Sequence, residues 1–230
     1  MDRDSLAHIY PLLASYVKEL PQIQGLFIFD QTGRGMVNSM DDSPWRLNNA
    51  DREYFIYHMN HPDRSAHVGV PVMSRSTGDW VIPISRRLNR PDGSFAGVVV
   101  ATVEVEYFLR FYHSFNIGRN GEILLATQSG TLLAKWPPGK GVVGRNISTE
   151  DIVSEHAARN VKGVAVITSP HDGLQRLYSY KRLDKYPLFV TAALSYDEVL
   201  SGWRTETLLQ SIGVLILVGM LAWIGRRLVN

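Results

Sequence analysis

The chain has 230 residues, enough for one large domain or two small ones, and its 45% apolar and 20% charged residues are ordinary globular proportions. Twenty-four Lys and Arg against 22 Asp and Glu leave a formal charge of +2, which gives no field for a nucleic-acid partner. The chain has no cysteine, which excludes disulfides, thiol catalysis and thiolate metal sites.

In chain order, Leu6, Ile9, Leu12, Leu13, Tyr16 and Val17 recur at helical spacing. They predict an amphipathic signalling helix within residues 1–24 that packs along everything that follows. Leu26 to Asn38 (LFIFDQTGRGMVN) then reads as strand, turn at Gly33, strand. A helical stretch from Asp51 to Asn60 follows, and 47 residues after Gly33 a strand opens at Trp80 with WVIPISRR. The segment FAGVVVATVEVEYFLRF is a strong apolar strand running into a helix.

The same order then repeats. Ile123 to Lys135 (ILLATQSGTLLAK) turns at Gly130, and Thr149 to Asn160 reads as helical after the hydroxyl-rich, acidic start Ser148-Thr149-Glu150-Asp151. LYSYKRL begins at Leu177, again 47 residues beyond the turn glycine, and YPLFVTAALSYDEVLSGW closes the copy. The pattern predicts an α+β chain with two tandem modules, residues 25–113 and 114–203, each with a central antiparallel sheet. A linker falls near His113 to Gly121.

Leu208 to Gly225 carries no charge and is long enough to cross a hydrocarbon core of ~30 Å, giving a transmembrane helix over residues 206–226. Trp203 and Trp223 stand where interfacial aromatics belong, and Arg226 and Arg227 follow at once, favouring a cytoplasmic C-terminus with residues 1–203 outside. The first 20 residues hold no apolar signal region, so export predicts a membrane segment ahead of Met1.

Arg52, Arg75 and Arg86 flank apolar segments, as guanidinium groups that bind a carboxylate do. Strand alternation puts Val70, Val72 and Ser74 on one face and Pro71, Met73 and Arg75 on the other. Ser74 and Arg75 therefore compete for one cavity unless the turn at Thr77-Gly78 twists Arg75 inward. Trp80 follows that turn, placed to stack on a ligand or to fill the core, while Arg86 and Arg87 also fit a solvated strand end. From the helix, Tyr54 is the next candidate, and Tyr57 and His58 are within reach of the same cavity, a choice that helix phase alone does not make.

Catalytic patterns fail. Gly139 to Gly144 spells G-x-G-x-x-G but sits in a loop after Pro137-Pro138 rather than opening a βαβ unit, and the acidic ribose partner is missing at the usual distance. His58, His61, His67 and Asp63 have zinc-ligand types, yet Pro62 interrupts the helix among them, and the spacing fits an exposed helix end. No enzyme and no cofactor is expected.

The run GVPVMSRSTGDWVIPISRRLNRPDGSFAGVVVATVEVEYFLRFY resembles the membrane-distal half of double Cache sensors that precede diguanylate cyclases. Gly121 to Trp203, with TLLAKWPP and YPLFVTAALSYDEVL, is similar to the proximal half. The resemblance implies two PAS-like modules outside the cell, a homodimer, and a small-molecule ligand held between the distal sheet and the layer starting at Asp51. It also implies a cytoplasmic output: a diguanylate cyclase first, a histidine kinase or chemoreceptor otherwise. In the amino-acid-binding branch, an R-x-W-Y element holds the ligand carboxylate and a late aspartate its ammonium. Here those positions read Arg52-Glu53-Tyr54-Phe55 and Thr102, so the expected ligand is an anionic metabolite rather than a plain α-amino acid. The expected contacts are Arg52, Tyr54, Ser74, Arg75, Trp80 and Arg86. The rival expectation is a stand-alone membrane-anchored binding protein.

Overall fold

A computed structural model describes residues 8–40, 47–150, 152–157, 160–169 and 172–229. The first helix, α1 (Ile9–Glu19), rests on the two strands that follow it and buries Leu13. A longer helix running along both halves was the expectation; the described helix has 11 residues, and Leu6 lies outside the described residues. Pro11 is tolerated in its first turn, where no N–H is needed, and Pro21 stops it immediately after Leu20.

The first sheet is built from β1 (Ile23–Asp30), β2 (Gly35–Asn38), β3 (His67–Val68), β4 (Val72–Met73), β5 (Trp80–Asn89) and β6 (Phe95–Glu104). Its order is β2-β1-β6-β5-β3, with β4 also on β5, and all pairs are antiparallel. Alternation along β1 turns Phe27 and Phe29 inward. There they meet Tyr54 and Phe55 of α2 (Glu53–Asn60) and Val98 and Val100 of β6. Phe29 is 1% exposed, so its burial stabilises the fold by roughly 1.5–3 kcal/mol. Helix α3 (Val105–His113) follows β6 without a break.

The second sheet holds β7 (Glu122–Thr127), β8 (Leu132–Trp136), β9 (Lys162–Thr168), β10 (Gln175–Arg182) and β11 (Leu188–Ser195) in the order β8-β7-β11-β10-β9. The first, second, fifth and sixth strands of the first sheet therefore take the same places as β7, β8, β10 and β11. A π-helical turn, Ile152–Ala157, stands where an α-helix was expected between Thr149 and Asn160; Asp151, part of its expected start, lies outside the described residues. Tyr112 and Val105 of α3 pack with Ile123, Leu125 and Leu133, so the two halves share a buried seam.

Gly33 and Gly130 make the repeat visible at atomic scale. Both have positive φ, 78° and 91°. Their carbonyls accept from Asn49 N (2.8 Å) and Ile147 N (2.7 Å) respectively. A Cβ on Gly130 would lie 2.6 Å from Ser148 N, and one on Gly33 would strike the Ala50 backbone. The spacing of 47 residues from each glycine is two residues out of step with the structure. Trp80 pairs with Met73 and Gln175 with Thr168, so Gln175, not Leu177, is the counterpart of Trp80.

The last helix, α4 (Tyr196–Val229), begins at the residue after β11 and runs 34 residues, about 50 Å. Its stretch Tyr196–Arg226 is long and apolar enough to cross a membrane, and every described side chain from 208 to 226 is exposed. A buried core helix is thereby excluded for this segment.

Candidate functional site

The cavity of the first half lies between its sheet and the segment entering α2. It measures about 30 Å³, roughly the share of one water in the liquid, so it is nearly closed. Phe27, Phe29, Val81, Val100 and Thr102 form its sheet side, while Asn49, Arg52, Tyr54, Ser74 and Arg75 come from the facing layer. Among the described residues, no Asp or Glu lines it.

Four of the six residues singled out in the sequence thus converge: Arg52, Tyr54, Ser74 and Arg75. Ser74 and Arg75 both reach the cavity because β4 ends at Met73, and strand alternation does not govern the turn beyond it. Arg52 precedes α2 in an extended conformation and donates to Met73 O at 3.0 Å. Arg75 holds Asp51 through two bonds of 3.0 and 2.7 Å, and also donates to Asn48 O and Asn49 Oδ1. The Arg75 guanidinium holds the Asp51 carboxyl below the usual carboxylate range. Tyr54 is 4% exposed and its hydroxyl accepts from Asn49 Nδ2 at 2.8 Å; burial pushes its pKa up to about 12. Thr102 donates to Gly25 O at 3.3 Å.

Trp80 and Arg86 do not line this cavity. Val81 faces it, so Trp80 points the other way, half-exposed in a groove with Glu104, Leu109 and Val143. Arg86 is exposed for the same reason, opposite the buried Ser85. Its neighbour Arg87 has the structural role: it donates to His58 O and Asn89 Oδ1 and lies 4.7 Å from the Phe95 ring centroid. Asn49 was missed; its only signal is the turn-forming pair Asn48-Asn49 ahead of the helix.

The histidines gather on one ring. Tyr57 stacks on His61 at 4.1 Å and on His67 at 3.7 Å. His67 Nε2 meets Glu53 at 2.8 Å, and His58 Nε2 meets Ser85 Oγ at 3.0 Å. Among the described residues, no three His, Asp or Glu side chains are arranged to hold a metal.

One contact joins the connector between the halves to the apolar helix. Glu198, in the first turn of α4, accepts from Arg119 N at 3.0 Å and Asn120 Nδ2 at 2.7 Å. Asn120 O in turn accepts from Arg176 Nε at 2.7 Å, and Arg176 is paired with Asp172. The Arg176 guanidinium holds the Asp172 carboxyl far below its ordinary value.

Against known structures, the chain is 38% identical to the extracellular domain of the histidine kinase rpHK1S-Z16, covering 85% of this chain and 80% of that one with a TM-score of 0.75. The ligand-binding domain of the Pseudomonas aeruginosa PAO1 amino acid chemoreceptor PctB, in complex with L-Arg, shares the fold at 17% identity, TM-score 0.62, covering 90% and 79%. That of the Campylobacter jejuni chemoreceptor Tlp3, in complex with 4-methylisoleucine, does so at 13%, TM-score 0.58, covering 86% and 75%. These relatives are sensor domains, not enzymes. A comparison with curated proteins finds no match. The dCache_1 family model, described as Cache domain, matches residues 5–203, and the chain belongs to that family of extracellular sensor domains.

Proposed function

We propose that the protein is the ligand-sensing region of a transmembrane receptor, with residues 25–113 as a membrane-distal module and 114–203 as a proximal one. The observation that carries this reading is the uninterrupted passage from β11 into α4, whose apolar surface is exposed along its length. A shift of the second sheet is then a shift of the helix end. Residues 206–226 cross the membrane, and Arg226 and Arg227 place the C-terminus in the cytoplasm. The receptor works as a homodimer. Its output domain lies beyond Asn230; the 38% identity to a histidine-kinase sensor supports a histidine kinase, beside the diguanylate cyclase that the sequence resemblance implies.

The ligand is a small anionic metabolite in the distal cavity. Among the described residues no carboxylate lines that cavity, and Arg52, whose neighbour Arg75 is paired with Asp51, supports an anion. PctB and Tlp3 are solved with amino acids or close analogues. In this chain Thr102 offers a hydroxyl where an ammonium would want a carboxylate. At about 30 Å³ the cavity must open to admit a ligand, and the layer carrying Arg52 and Arg75 is the part that moves. Binding stabilises the open arrangement by its differential affinity, typically ~1–3 kcal/mol. A thermal-shift screen of small carboxylates on the full chain in lipid nanodiscs tests this. A hit that stabilises the wild type is expected to lose its effect in Arg52→Ala; unchanged stabilisation removes Arg52 from the site.

A further inference from the structure

We propose that the seam between the halves holds a second ligand site: a groove that takes a linear alkane diamine, with its methylenes on Trp80 and its ammonium groups on the carboxylates beside it. The groove measures about 410 Å³, within the range of small-molecule pockets. Residues between 78 and 109 form one bank, and Lys135 with residues between 138 and 143 the other. It shares no lining residue with the cavity of the first half. Lys135 and Val142 also line a cavity of about 290 Å³ inside the second half.

Strand pairing assembles the acidic bank. β5 and β6 run antiparallel with Val81 opposite Glu104, so Asp79, just before β5, and Glu104, closing β6, come to the same end of the sheet. Glu106 follows in the first turn of α3. Gln24 Nε2 donates to Thr77 Oγ1 at 3.0 Å, to Asp79 Oδ2 at 3.1 Å and to Glu104 Oε1 at 3.5 Å. Two amide hydrogens thus face three acceptors, and the neutral side chain cancels neither charge.

The nearby cations leave this bank negative. Lys135 is held by Glu122 at 2.8 Å. Arg110, itself exposed, only approaches Glu104 at 3.7 Å, a surface pair of little strength. Glu106 is exposed and, among the described residues, meets no cation. Asp79, Glu104 and Glu106 are not arranged to hold one metal ion together, so the positive charge they suit is spread along a chain. Trp80 supplies the surface for that chain. Val81 faces the first cavity and Trp80 the other side, which leaves the indole 43% exposed beside the carboxylates. An indole face attracts a cation, and Leu109 and Val143 extend the apolar surface for the methylenes. An occupant of this groove touches both halves.

Calorimetry at pH 7 on the full chain in phosphatidylcholine nanodiscs, with empty discs as the blank, tests the site. 1,5-Diaminopentane is expected to bind saturably, and pentylamine, with one charge, at least about tenfold more weakly. Trp80→Ala and Glu106→Gln, both at exposed side chains, are each expected to weaken the diamine severalfold. Calcium chloride at the same concentration is expected not to compete. Carboxylates, the ligands proposed for the first cavity, are absent from the titration, so the two sites are judged apart. No saturable diamine binding, equal binding of pentylamine, competition by calcium, or an affinity that neither substitution lowers would overturn the proposal.

Discussion

His58 is fully buried, and burial pushes its pKa below the ordinary value, so it sits as a neutral imidazole against Ser85. Among the described residues its Nδ1 has no hydrogen-bond partner, and Arg87 and His67 stand near enough to oppose a positive charge, with Asp63 acting the other way. The unfolded chain takes up a proton near pH 6.5, ahead of the folded one. Stability from this site is therefore complete above pH 6.5 and is lost as the pH falls below it. Thermal unfolding of the full chain is predicted to hold steady from pH 8 to 7 and to fall toward pH 5. His58→Leu should cost about 1–2 kcal/mol at pH 8, where Ser85 loses the imidazole and keeps only its long bond to His67 O, while flattening the acid slope. An unchanged slope would assign the acid sensitivity elsewhere. Residue types were legible at this scale, but partners were not. Arg52, Arg75 and Arg86 were named from their apolar flanks, Ser74 from strand alternation and Tyr54 from the helix; Trp80 and Arg86 fall outside the cavity lining because one step along β5 reverses the face.

Among the elements, the strands were the most legible, because inward Phe27, Phe29, Val98 and Val100 alternate with half-buried neighbours. The C-terminal end of the first helix was not legible from apolar spacing, which does not say that Pro21 will stop it after Leu20. The π-helical turn at Ile152 has the composition of an ordinary helix, and its wider winding left no signal. Helix α4 was read correctly as long, apolar and unburied. Its first turn makes the contact on which signalling should depend, Glu198 to Arg119 N and Asn120 Nδ2. Glu198→Ala is predicted to leave ligand-induced stabilisation within about twofold in affinity while reducing the response of a fused cytoplasmic output at least severalfold. Equal loss of both would show Glu198 to be merely structural.

For the whole molecule, the order of elements and the turn glycines exposed a repeat that pairwise identity hides, and matching hydrogen bonds at Gly33 and Gly130 explain why those glycines recur. The two cavities were not legible. Each is bounded by segments far apart in sequence, and whether the space fills depends on bulk: Phe27 and Tyr54 in the first half face their cavity where Leu124 and Ile152 do in the second. The account rests on the fold standing outside the cell with α4 passing inward. Because the chain has no cysteine, single substitutions give a clean readout of that arrangement. Arg64→Cys and Asn230→Cys proteins are labelled in intact cells with a membrane-impermeant maleimide. The account predicts that Arg64→Cys is labelled at once and Asn230→Cys only after lysis; labelling of Asn230→Cys in intact cells, with Arg64→Cys protected, would contradict it.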